Sequence, residues 1–192
     1  TSAAQQFGTP LFIYDTQTIS KKYAKLRKNL IDQCQLYYSI KSNPSLAVCQ
    51  YIKKLGAHCE VSSEYELLTA IQAGFAASNI IFVGPGKNTQ AIKCAIKNRI
   101  KAIVCESFEE ILIIDMLSKK LNVKTEIMIR LNPDFKINEA PIKMSGVATQ
   151  FGIDYEEFES KIDQIKKYNN INIIGIHIYN ASRVLNTNAI VD

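Results

Sequence analysis

Lys41 closes the apolar run Leu36-Tyr37-Tyr38-Ser39-Ile40 and stands just ahead of the turn signal Asn43-Pro44, in "YYSIKSNP" (residues 37–44). If that run is a strand ending at the mouth of a fold, its lysine faces a partly desolvated cup beside other polar groups. Burial disfavours the ammonium form, so the pKa falls and a neutral amine becomes available as a nucleophile. Such an amine forms an imine with an aldehyde. A lysine that snorkels from the strand end into water does no chemistry, and the local residues leave both readings open. Arg130 in "TEIMIRLN" and His177 in "NIIGIHIY" also sit within apolar segments. The plain alternatives for these two are a charged strand end and a hydrogen-bonded core histidine.

The elements that carry these residues recur along the chain. Short runs rich in β-branched residues lie at 35–40, 57–62, 79–84, 101–106, 125–132 and 172–179. Each is nearly apolar throughout, as strands buried on both faces of a parallel sheet are. Helix-like segments with apolar positions three and four apart fill the gaps. "SSEYELLTAIQAG" has Ser62 or Ser63 as cap, Glu66 in the first turn and Gly74 as the stop. "ESFEEILIIDMLSKK" has Ser107 as cap with Glu110 completing a capping box, and "DYEEFESKIDQIKKY" has Asp154 as cap. This β-α alternation implies parallel strands joined by right-handed crossovers. A doubly wound sheet and a (β/α) barrel both satisfy it. Even spacing, with chemistry-bearing residues at strand ends, favours the barrel.

Composition narrows the classes. The net charge of +5 comes from nineteen lysines spread along helices, with four arginines and no basic run interleaved with aromatics. That describes a solvated surface and not a nucleic-acid interface. No apolar run approaches a membrane span, and the N-terminus lacks a signal-peptide layout, so a cytoplasmic protein is expected. The five cysteines include no C-x-x-C pair. They predict buried reduced thiols, with neither a disulfide framework nor a metal site.

Two segments break the rhythm. Leu11 to Tyr14 predicts a short strand leading through Asp15 or Thr16 into a helix. Residues 132–154 carry Pro133, Pro141, Gly146 and Gly152 between the fifth and sixth barrel strands, a long connection of the kind that is usually functional or mobile.

Eight motifs occur in the order found in the fold-type III pyridoxal-phosphate decarboxylases. They are "FGTPLFIYD", "YYSIKSNP", "EVSSEYEL", "FVGPGK", "CESFEEI", "IRLNP", "TQFGI" and "GIHIYNAS". The chain resembles the barrel domain of that family, which includes diaminopimelate and ornithine decarboxylases and, more distantly, alanine racemase. The resemblance implies an α/β fold, a TIM-type barrel incomplete at about six of eight βα units. It implies pyridoxal 5′-phosphate as cofactor, held as an internal aldimine on Lys41, and decarboxylation of an amino acid in the full-length parent. Glu60 would lie beside that lysine and pair with its amine. Arg130 would border the cofactor, His177 and Tyr179 would line it, and Ser182 would bind phosphate in a tight turn. The forms "GPGK" and "KMSGVATQFGID" resemble a branch acting on pathway- or carrier-linked amino acids.

Departures accompany the resemblance. Tyr179 stands where the family commonly stacks a histidine on the cofactor ring, Ala181 replaces a turn glycine, and Tyr65 replaces another. Residues 1–15 resemble a strand entering from a second β domain and 16–192 a partial barrel, with the C-terminal β domain absent. The chain alone is therefore expected to be inactive, and the family's shared active sites imply a homodimer. The alternatives are a PLP-homeostasis barrel without turnover and an inactive scaffold.

Overall fold

A computed structural model describes residues 2–133, 150–179 and the backbone of 142–143 and 181–182. Helices α1 (Ser2–Phe7) and α2 (Thr16–Lys28) come first. Strands β1 (Tyr37–Ser39), β2 (His58–Val61), β3 (Ile80–Phe82), β4 (Ala102–Cys105) and β5 (Thr125–Asn132) then alternate with helices α3 (Leu46–Lys54), α4 (Glu64–Gln72), α5 (Thr89–Lys97) and α6 (Phe108–Leu121). Beyond β5 come β6 (Ile142–Lys143), β7 (Ile153–Asp154), α7 (Tyr155–Ile165), β8 (Ile171–His177) and β9 (Ala181–Ser182). Strands β1 to β5 pair in sequence order, every pair parallel, and β8 continues the sheet beside β5. The six expected barrel strands are these. The sheet is an incomplete TIM-type barrel.

Side chains alternate between the two faces of the sheet, because strand periodicity is two. One face carries Cys59, Val61, Ile80, Phe82, Ile103, Cys105, Ile127 and Ile129, packed with helix residues such as Leu67, Ile92, Ile111 and Ile114. The other carries a smaller cluster, Ile81, Val83, Ala102 and Val104, with Tyr37 and Met128 against it. The first is the layer between sheet and helices, and the second fills the barrel lumen. Cys49, Cys59 and Cys105 are buried, as expected of thiols in apolar segments, while Cys34 and Cys94 are half-buried. Burial pushes the Cys59 thiol up to about 12, far from the reactive thiolate range.

The helices start where their caps dictate. Ser63 Oγ accepts from the Glu66 amide at 3.2 Å, and Glu66 Oε2 accepts from the Ser62 amide at 2.7 Å. The same reciprocal device opens α6, with Ser107 Oγ accepting from the Glu110 amide at 3.1 Å and Glu110 Oε2 from the Glu106 amide at 2.8 Å. Asp15 caps α2 by accepting from the Gln17 and Thr18 amides.

Three expectations need correction. Asp154 occupies the N-cap position of α7 but makes no capping hydrogen bond; it accepts from Asn132 Nδ2 at 2.9 Å instead. Leu11 to Tyr14 is irregular and pairs with no strand among the described residues, with Phe12, Ile13 and Tyr14 exposed. A strand requires a ladder partner, and this segment has none there. Ala181, expected in a turn, has its backbone in β9, antiparallel to Lys143 of β6. Most of the 132–154 connection lies outside the described residues.

Ile127 is fully buried on β5 between sheet and helices. Ile127→Ala should lower unfolding stability by about 2–5 kcal/mol in urea titration. Tyr65→Ser, on an exposed helix face, should stay within about 0.5 kcal/mol of the parent.

Candidate active site at the strand C-termini

Parallel pairing brings the C-terminal ends of all six strands to one rim. Period-two alternation then decides which side chains look into the lumen there. Ser39 ends β1 and registers with Glu60 on β2, whose Oε1 accepts from Ser39 Oγ at 2.9 Å. Arg130 on β5 registers with His177 on β8. Glu106, immediately after β4, accepts from Arg130 Nη1 with both oxygens, at 3.0 and 2.9 Å. Both partners of that pair are almost completely buried. Residues remote in sequence thus meet on one face of one sheet edge.

Lys41 lies in a single 3-10 turn, Ile40–Ser42, directly after β1. Ile40 is fully buried towards the helices, and Lys41 is exposed at the rim. The desolvated cup expected for this lysine is therefore not formed by the described residues. Glu60 is not ion-paired to Lys41 among them either; Ser39 is the partner its carboxylate finds. Lys41 is nevertheless electrostatically part of the rim, because His177 responds to its charge. Burial depresses the His177 pKa first, Arg130 second and Lys41 more weakly, while Glu60 and Glu106 act in the opposite direction. One imidazole thus registers four of the rim's charges at once.

The Arg130 guanidinium lies over two aromatic rings, 4.7 Å from the centroid of Phe151 and 5.8 Å from that of Tyr179. Tyr179, expected to stack on a cofactor ring, faces this cation and is partly exposed. Gly152 makes the close approach possible. Its φ of +77° is unfavourable for a side chain, and an added Cβ would meet the Arg130 carbonyl at 3.0 Å and its Cγ at 3.2 Å. The Ser182 backbone pairs with Ile142; its side chain lies outside the described residues, so its expected phosphate role has no geometry here.

The sequence reading missed Glu106 and Lys87, and it saw Glu110 only as the cap partner of Ser107. Lys87 is buried, donates to the Gly84 carbonyl, and pairs with Glu110 at 3.2 Å. Its ammonium also lies 5.8 Å from the Phe82 centroid. A partial signal was available: Glu60 lies three residues before the serine cap Ser63 and Glu106 directly before the serine cap Ser107, each cap with a glutamate three residues beyond it.

The residues present fit a flat, anionic aldehyde cofactor. His177 Nδ1 is buried with no hydrogen-bond partner among the described residues, and an accessible amine, a guanidinium and a carboxylate share its surroundings. Residues 16–192 match the pyridoxal binding domain of pyridoxal-dependent decarboxylases. The chain belongs to that family, whose cofactor is pyridoxal phosphate. It is 36% identical over 192 residues to the L-glutamyl-[BtrI acyl-carrier protein] decarboxylase of Niallia circulans, covering 100% of this chain and 45% of that protein. Diaminopimelate decarboxylase of Aquifex aeolicus is 31% identical over 95% of this chain and 43% of its own. A crystal structure of a point mutant of Helicobacter pylori diaminopimelate decarboxylase with L-lysine superposes with a TM-score of 0.91 at 25% identity, covering 99% of this chain and 49% of that one. The chain spans about half the length of the relatives it matches.

Both histidines of the chain, His58 and His177, are held below the ordinary value of 6.5, chiefly by burial. The unfolded chain therefore binds more protons just below that pH, so stability should fall as pH drops through 6.5 and level off above it. Urea midpoints compared across that range should show a flatter dependence for His177→Gln. Gly152→Ala should destabilise by about 1–3 kcal/mol, and a crystal structure should show Arg130 displaced from Phe151.

Proposed function

We propose that this chain is the cofactor-binding half of a pyridoxal-phosphate-dependent amino-acid decarboxylase, with Lys41 as the covalent anchor. The observation that carries the proposal is the shared rim: Lys41 follows β1, Glu60 lies on β2 in register with Ser39, and Arg130 on β5 lies in register with His177 on β8, at the C-terminal ends of parallel strands. The exposed Lys41 amine would meet the aldehyde without rearrangement of the core. Glu60, oriented by Ser39, would supply a fixed negative charge near that amine. Arg130 would present a fixed cation to an anionic oxygen, and His177 would offer an uncharged ring at neutral pH. Tyr179 would add an aromatic surface and Ser182 a phosphate ligand. When bound, the cofactor supplies the electron sink for the carbanion that loss of CO₂ leaves.

Residues 1–15 would lead in from a second β domain, and residues 16–192 would form the first part of the barrel. The substrate would be an amino acid, either free and diaminopimelate-like or linked to a carrier. The 36% identity to a carrier-protein-linked glutamyl decarboxylase, against 31% to a diaminopimelate enzyme, supports the carrier-linked branch. We further propose that the whole protein is a cytoplasmic homodimer. Among the described residues no helix is long and apolar enough to cross a membrane.

Reduction of the full-length protein with borohydride in the presence of pyridoxal phosphate should fix the label on the Lys41 peptide, as read by mass spectrometry. Lys41→Ala should lose both the label and CO₂ release from the amino acid, by several orders of magnitude in kcat/KM. Diffuse labelling over surface lysines, with activity retained in Lys41→Ala, would refute the proposal.

A further inference from the structure

The buried charges on the β3, β4 and β5 ends form one connected chain. Lys87, whose side chain is 0% exposed, pairs with Glu110 at 3.2 Å. Glu110 Oε2 also accepts from the Glu106 amide at 2.8 Å, so the first charge pair grips the backbone of the next acid. Glu106 Oε1 accepts from the Gly84 amide at 2.8 Å, and both Glu106 oxygens accept from Arg130. Gly84 closes the loop, because its carbonyl accepts from Lys87. The signs alternate from Lys87 through Glu110 and Glu106 to Arg130.

Glu106 and Arg130 face the rim, and Lys87 and Glu110 lie behind them. Lys87 and Glu110 are both buried, which places the pair on the dry side of the sheet end; burial first, with Lys87 opposing, holds Glu110 above its ordinary value. Glu106 is gripped at its amide by Glu110 and at its carboxylate by the Gly84 amide. It has little freedom to swing, and its two oxygens fix the plane in which Arg130 Nη1 must lie. Loose guanidinium groups gain little from stacking; one fixed at this depth is held over both Phe151 and Tyr179.

We propose that Glu106 is the positioning residue for Arg130, and that the buried pair Lys87–Glu110 fixes Glu106 from behind. The network itself stands on the geometry above; its bearing on the cofactor rests on the functional reading of the same rim. Glu106 touches neither the cofactor nor substrate in this scheme and acts through Arg130 alone.

Two readouts separate the network from the cofactor reading. The first is the guanidinium NMR spectrum of the full-length apoprotein, with the Arg130 signals assigned through Arg130→Lys. Wild type should show slowly rotating, resolved Arg130 N–H signals; Glu106→Gln should collapse them, Lys87→Met should broaden them, and Lys87→Arg should restore them. The second is the pyridoxal phosphate dissociation constant by absorbance titration, which Glu106→Gln should raise about 10- to 100-fold, the range that loss of an orienting partner costs at metal-ligating side chains. Should Glu106→Gln fail to fold, Glu106→Asp decides on the same readouts, since it keeps the charge but withdraws it from the guanidinium. Unchanged Arg130 signals in the folded Glu106 variant would overturn the proposal. Failure of the wild-type protein to bind pyridoxal phosphate would refute the cofactor reading instead, with the apoprotein spectrum still deciding the network.

Discussion

Parallel pairing of β1 to β5 and β8, with one register shift in the β5–β8 ladder at Ile127/Met128, is the constraint from which the site follows. Parallel strands need helical crossovers, and the crossovers return every strand in the same direction, so all the C-terminal ends share one rim. Period two then sorts the residues. Ile40, Val61, Cys105 and Ile129 face the helices, while Ser39, Glu60, Glu106 and Arg130 lie one position away on the opposite face. A one-residue slip in any ladder would exchange an apolar core residue for a rim charge. Core packing and site assembly are therefore enforced by the same hydrogen-bonded register.

The rim buries charge, and that is costly unless each ion finds a geometric partner. Arg130 and Glu106 satisfy this by a two-oxygen contact, and Lys87 by Glu110 with an aromatic face beneath it. Removing one member of such a pair leaves an uncompensated ion, a loss of about 3–5 kcal/mol. Replacing a whole pair with apolar residues is often neutral, so stability alone does not account for keeping it. Its worth lies in specifying where one guanidinium points. The N-terminus of α6 contributes as well, since Glu110 in its first turn meets the positive end of the helix dipole while serving as the cap partner.

Much of this was legible in the residues. β5 matches its sequence-read bounds at 125–132, and the other five strands fall within a residue of, or inside, their apolar runs. The serine caps of α4 and α6 were legible because Ser-x-x-Glu names both partners of a short-range bond. Lys41 was legible as the residue beyond a strand end, but its exposure was not, since burial depends on which elements cover β1. Lys87 looked like one lysine among nineteen. Its burial follows from a pairing with Glu110 that local spacing cannot encode. Asp154 shows the same limit, because a cap-like position was taken over by a contact with Asn132, 22 residues away.

Rigidity and reactivity are divided between different strands. Arg130 sits on β5, which pairs with β4, β7 and β8 and has its inner and outer neighbours buried. Lys41 sits in a 3-10 turn after β1, whose one ladder partner among the described residues is β2. A covalent anchor must accept an incoming aldehyde, release it to an amino acid and take it back, which requires local freedom. A group that recognises charge gains from having none, because any rotamer freedom it keeps must be lost on each binding event. The buried network therefore belongs under Arg130 and not under Lys41, and the exposure of the lysine is consistent with its proposed work.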